Sequence, residues 1–161
     1  MNVQLKPIPL RVANDFLDQH GAELGAVRGC KFSIGAYVGP VLVGVVVVER
    51  PKARHLDDGW TLELSRLNTC HGRDVASTLV SAATRAAFAM GTRYVLAYAA
   101  PTDGGEPYQA AGWVRMEADG KPVDCGGGEW SRPSRRRQPV TSPDRKHRWE
   151  RYNPATTSHL D

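Results

Sequence analysis

Residues 61–100 constrain the fold more than any other part of the chain. They read TLELSRLNT, CHGRDVASTLVSAATRAAFAMG and TRYVLAYAA. In the first segment Leu62, Leu64 and, after Ser65-Arg66, Leu67 alternate with polar residues as a half-buried strand requires. In the second, Val75, Leu79, Ala82, Ala83, Ala86, Phe88 and Met90 predict a helix over 74–90, and Gly91 supplies its C-terminal stop. The third, RYVLAYAA, is another apolar strand. Strand, helix and strand in succession imply a parallel pair joined by a right-handed crossover.

The residues before this unit supply partners for it. Val3–Leu5 can form a short first strand. From Pro9, PLRVANDFLDQHG places Leu10, Ala13, Phe16 and Leu17 at helical spacing, and Gly21 can end that helix. Residues 22–30 are ambiguous. KFSIGAYV and VLVGVVVVER, joined at Gly39-Pro40, read as a hairpin, and the run Val45–Val48 points to burial on both faces in mid-sheet. RPKARHLDDG (50–59) is a polar loop. After the crossover come a glycine-rich loop TDGGEP, a short helix YQAA and a strand GWVRME. Residues 119–129 are turn-rich, and the chain ends in a Pro-rich basic stretch expected to be extended or irregular. The expected fold is α/β in the order β-α-β-β-β-α-β-α-β. It has a mixed sheet with a central β-α-β crossover flanked by helices, and an irregular basic C-terminal segment. Residues 1–130 are expected to form one domain, with 131–161 partly docked on it.

At 161 residues and 41% hydrophobic, the chain suits a single globular domain. No apolar stretch approaches the ~18 residues of a membrane span. The N-terminus MNVQLKPIPLRVAND lacks the apolar core and small cleavage residues of a secretory signal. Cys30, Cys70 and Cys125 are odd in number and widely spaced, as expected of reduced thiols in a cytoplasmic protein. No C-x-x-C or H-x₃₋₅-H spacing is present, so no metal is expected. The net charge of +4 is uneven: residues 131–151 hold eight Lys/Arg against two acids, leaving 13 basic and 15 acidic side chains elsewhere. A nucleic acid, or another polyanion, would therefore be expected at that segment, with Arg132, Arg135, Arg136, Arg137, Arg145, Lys146 and Arg148 as contacts and Trp149 and Tyr152 available for stacking. The alternatives are a solvated tail, arginines docked on acidic patches of the body, or arginines that hold the phosphates of a cofactor.

The turn before the long helix reads His71-Gly72-Arg73-Asp74-Val75-Ala76. A helix N-terminus presents free N–H groups and a positive dipole end, and so favours an anion. Asp74 is a good N-cap residue, and as a cap its carboxylate would fill that site and repel a phosphate. Arg73 could instead neutralise phosphate while Asp74 swings outward, and Ser77 adds a hydroxyl in the first turn.

The element order and two motifs resemble the GNAT acyltransferase superfamily over residues 1–118, most of all 31–117. Within it, CKFSIGA, ARHLDDG, LELSRL, EWSRPSR and KHRW resemble a divergent phage- and actinobacteria-associated GNAT-like group. In that superfamily the strands flanking the long helix splay apart, and a Q/R-x-x-G-x-G/A turn holds the pyrophosphate of CoA. The resemblance implies that His71, Gly72, Arg73, Asp74, Ala76 and Ser77 form this cradle, with Asp74 in place of the first glycine. It also implies acetyl-CoA or another acyl-CoA as donor, an amine on a small molecule or macromolecule as acceptor, and the Leu67 N–H polarising the thioester carbonyl. Tyr108-Gln109-Ala110-Ala111-Gly112-Trp113 matches the superfamily's Y-x-x-x-G-[FY], in which the tyrosine protonates the leaving thiolate; a phenol with a pKa of about 10 suits that role. Otherwise Tyr108 merely packs a short helix.

The amine must lose a proton, and two residues could take it. Glu63 alternates with Leu62 and Leu64, so it faces away from them, on the strand that would border the acceptor cleft. His55 is the other, with Asp57 or Asp58 to orient it. Three functions remain open at this stage. One is an acyltransferase. Another is a nucleic-acid base-modification enzyme resembling the Mom-type proteins. The third is a GNAT-fold binding protein without catalysis.

Overall fold

The computed structural model describes residues 2–22, 24–99, 105–116, 124–125 and 146–155. The elements are β1 (Val3–Pro7), α1 (Leu10–Gln19), β2 (Phe32–Val38), β3 (Val41–Glu49), a 3-10 turn (Arg54–Leu56), β4 (Thr61–Thr69), α2 (Arg73–Ala89), β5 (Tyr94–Ala99), α3 (Glu106–Ala110), β6 (Val114–Met116), β7 (Asp124–Cys125) and β8 (Lys146–Tyr152). One sheet holds all eight strands in the order β1-β2-β3-β4-β5-β8-β6, with β7 also on β8. Every pairing is antiparallel except β4 with β5, the pair that α2 joins. The fold is thus the expected mixed α/β sheet with a central crossover.

The valine run sits where its pattern requires. Val46 and Val48 turn to the α2 face and pack with Leu62, Leu64, Leu79, Val80 and Ala83. Val45 and Val47 turn to the other face and pack with Ala13, Phe16 and Leu17 of α1. Four consecutive valines can be buried only because helices cover both sides of β3. Gly44 lets α2 come close: a Cβ there would stand 2.8 Å from Thr69 Cγ2 and 3.0 Å from Leu79 Cδ1. The ambiguous stretch after α1 is tied down by Asn14, whose amide donates to Val27 O and accepts from Val27 N, both at 2.9 Å.

The C-terminal part differs from expectation at 146–152. These residues were expected in an irregular segment, yet they form β8, inside the sheet between β5 and β6. The physical reason is alternation. His147, Trp149 and Arg151 point to the α2 face opposite Ala99, Ala97 and Val95, and Trp149 is buried there. A high charge density masks this period, because Arg148 and Glu150 satisfy each other on the opposite face at 2.6 Å.

Candidate active site

The site is a gap between β4 and β5. The two strands pair from Thr61↔Tyr94 to Leu64↔Ala97, and there the ladder ends. β4 runs on through Thr69 while β5 stays with β8 as far as Ala99↔His147. A bulge marks the parting. Val47 faces Arg66 but Val48 faces Leu64, so Ser65 is an extra residue on β4. A bulge bends its strand and increases the local twist, and this one falls at the first residue to leave β5. Arg66 holds the bend in place: its guanidinium donates to the carbonyls of Gly25, Leu24 and Ser65 at 3.0, 2.9 and 2.8 Å.

Beyond the bulge the free edge of β4 faces the gap. Cys70 N–H donates to Val43 O at 2.9 Å, so it points towards β3. Alternation along the strand then turns the N–H of Leu67 and Thr69 the other way, into the gap. The same strand leads through Cys70, His71 and Gly72 into α2, whose N-terminus therefore opens at the mouth of the gap.

At that mouth the cap differs from expectation. Gly72 is the N-cap, at φ 23° and ψ 164°, and as a glycine it brings no side chain to cap the first N–H groups. Its positive φ, which suits glycine, turns the chain into the helix at Arg73. Asp74 consequently falls inside the first turn instead of before it, with an exposed side chain. The expectation that Asp74 caps the helix and fills the anion position is corrected. Its backbone carbonyl instead accepts from Ser77 Oγ at 3.1 Å and Thr78 Oγ1 at 2.7 Å, which occupies the Ser77 hydroxyl proton within the helix. His71 is exposed, and Ala76 is buried against the sheet.

Glu63 lies one position before the end of the β4–β5 ladder, on the face away from α2. It is 4% exposed and its Oε2 has no hydrogen-bond partner. Burial pushes its carboxyl above the ordinary glutamate range; Glu49, opposite on β3, pushes the same way, while Lys52 and Arg66 oppose. Glu49 was not singled out in the sequence. Its signal is its place as the polar end of an apolar strand, but only the register sets it against Glu63.

Scans of known protein families and of curated proteins find no match for the sequence. Solved structures do match. An IAA acetyltransferase from Bacillus cereus ATCC 14579 superposes with a TM-score of 0.65 at 14% identity, over 94% of this chain and 100% of that one. A Bacillus subtilis acetyltransferase in complex with CoA gives 0.60 at 15% identity, over 94% and 99%. The spermidine/spermine N-acetyltransferase SpeG from Vibrio cholerae gives 0.61 at 10% identity, over 99% and 100%. The chain has the GNAT fold.

Within this GNAT fold the remaining candidates are distributed unevenly. Tyr108 is buried, its ring 5.3 Å from Trp113 and 6.1 Å from Trp149. Trp149 stands opposite Ala97, the last β5 residue paired with β4, so Tyr108 lies one aromatic layer from the parting of the strands. Trp113 Nε1 donates to Thr84 Oγ1 at 3.1 Å and so fastens the end of α3 to α2. His55 is exposed on the β3–β4 connection, at the far end of β4 from the gap. Its expected orienting partners serve elsewhere: Asp57 binds Arg50 at 2.6 Å, and Asp58 accepts from Trp60 N at 2.8 Å.

Arg132, Arg135, Arg136, Arg137 and Arg145 lie outside the described residues. Lys146 and Arg148 lie on β8, and Arg148 is committed to Glu150 and to Tyr94 Oη, both at 2.6 Å. That guanidinium is part of the sheet face and not an open phosphate contact. Among the described residues no three His, Cys, Asp or Glu side chains group to hold a metal ion, and no helix is long and apolar enough to cross a membrane.

Proposed function

We propose that this chain is an acyl-CoA-dependent N-acyltransferase acting on an amine. The observation that carries the reading is the joint position of three features. β4 and β5 part at Ser65, the glycine-capped N-terminus of α2 opens at the mouth of that gap, and a buried carboxylate, Glu63, stands beside its apex. The helix N-terminus and the backbone of Gly72 and Arg73 suit a pyrophosphate. The Leu67 N–H suits an oxygen on which negative charge develops. A bound acyl-CoA would supply the activated acyl group.

The chain's own residues then divide the work. Glu63 accepts the proton that the amine sheds as its nitrogen bonds to the acyl carbon. A desolvated carboxylate is a stronger base than one in water, which matches this task. Tyr108 delivers a proton to the sulfur as the carbon–sulfur bond breaks. Solved structures with this fold include a CoA complex and a spermidine/spermine N-acetyltransferase, which supports both the donor and an amine acceptor.

The test is calorimetric titration with acetyl-CoA of the natural chain and of Asp74→Asn. Micromolar binding, tightened about two- to fivefold in Asp74→Asn, is expected, because an exposed carboxylate in the first helical turn repels the diphosphate by up to about 1 kcal/mol. No binding by either protein would sink the reading. With binding in hand, Tyr108→Phe should lower turnover and leave acetyl-CoA affinity in place; unchanged turnover would remove Tyr108 from the chemistry.

A further inference from the structure

The β3–β4 register sets Glu49 and Glu63 directly opposite each other. Residues paired in this way share one face of the sheet, with Cβ atoms about 4.5–5.5 Å apart. The face is the one away from α2, because the neighbouring pair, Val48 and Leu64, turns into the α2 core. Glu49 Oε2 and Glu63 Oε2 are both buried and both without a hydrogen-bond partner. Two carboxylates side by side, each with an unsatisfied buried oxygen, lack the positive charge that would normally accompany them.

Among the described residues no cation pairs with either carboxylate. The Arg66 guanidinium is held by three backbone carbonyls, of Gly25, Leu24 and Ser65. Lys52 is exposed; its charge and its backbone N–H favour the Glu63 carboxylate, yet no ion pair joins the two and Glu63 Oε2 stays unpartnered among the described residues. On the Glu49 side, the half-buried Cys30 thiol is the further titratable neighbour, and it brings no positive charge.

We propose that Glu49 and Glu63 form an acceptor subsite for a dicationic amine, a primary amine that carries a second protonated nitrogen within a short chain. This rests on the acyl-transfer reading and narrows its acceptor. Glu63, next to the gap, receives the nitrogen that reacts. Glu49, one strand further from β5, anchors the second nitrogen and so sets the reach of the substrate. A monoamine satisfies one carboxylate and leaves the other buried without a partner, which is the source of the discrimination.

The experiment is calorimetry of the full chain with 1,4-diaminobutane and with n-butylamine, repeated on Glu49→Gln, beside a separate acetyl-CoA titration of both proteins. The diamine should bind the natural chain about tenfold or more tighter than the monoamine, and Glu49→Gln should bring the two within about twofold. Equal binding of the two amines by the natural chain, or no binding of either, overturns the proposal without need of any variant. So does a diamine preference that survives Glu49→Gln. A circular dichroism spectrum and melt of Glu49→Gln confirm that it is folded. If the preference holds but acetyl-CoA does not bind, the diamine subsite stands and the acyl-transfer reading falls. If acetyl-CoA binds and the preference is absent, the reverse is true.

Discussion

A carboxylate enclosed by protein holds its proton more tightly than one in water, since burial disfavours the charged form. Glu63 is so enclosed, and the facing Glu49 adds like-charge repulsion. With a native pKa above the unfolded one, Glu63 contributes its full share of stability below the ordinary value of 4.5 and loses it as pH rises through the raised value. Glu63→Gln removes that loss. Its melting temperature should exceed that of the natural chain at neutral pH, and the difference should shrink as pH falls towards 4.5, a pattern that paired melts across pH will show or refute. As the amine's base, the same residue should matter in the opposite direction. Turnover in Glu63→Gln should fall about 10²-fold or more while acetyl-CoA affinity is kept, which steady-state rates beside a donor titration will separate. A more stable, less active variant is the signature of a group retained for chemistry and not for folding.

Elements position these residues by how they meet. β4 is straight until Ser65, bends there through the bulge, and parts from β5 at the same residue, so a single irregularity creates the gap. α2 must then lie close on β3 for its N-terminus to reach the mouth. Gly44 permits this approach, with Thr69, Leu79 and Val75 all around the place a Cβ would occupy. Gly44→Ala should cost about 1–3 kcal/mol through overpacking, read by urea denaturation. An unchanged midpoint would mean that α2 shifts freely, against the packing described. The alternation of β4 was visible in its leucines, and the place of Glu63 opposite them followed from it. The bulge was not visible, because Ser65-Arg66 interrupts the period in a way that a turn or a strand end would also produce.

The whole molecule depends on a strand supplied from its far end. β8 lies between β5 and β6, and Trp149 joins Tyr108 and Trp113 in the core over Ala97. A chain ending at residue 145 would leave β5 with an open edge and a void in place of an indole. It should show no cooperative thermal transition, and Trp149→Ala in the full chain should lose about 3–5 kcal/mol by denaturant unfolding. A truncated protein that melts as the full one does would show that β8 merely decorates the sheet. Eight Lys/Arg in a short stretch outweigh a weak alternation, so by sequence these residues look like an irregular basic segment. Arg148 shows why charge misled: it meets Glu150 and Tyr94 on one face while its neighbour Trp149 is buried on the other.

What the sequence determined by itself was everything carried by local period. That includes the hairpin of β2 and β3, the crossover through α2, the two-sided burial of the valine run, and the side of β4 that bears Glu63. These follow from a strand's period of two and a helix's of 3.6, which neighbouring residues express without knowledge of their partners. Only the tertiary structure decided which segments meet. It set Glu49 against Glu63, placed Gly72 and not Asp74 at the helix cap, and drew residues 146–152 into the sheet. Register and strand partners are long-range quantities, chosen by the packing of distant side chains, and no short window of sequence contains them.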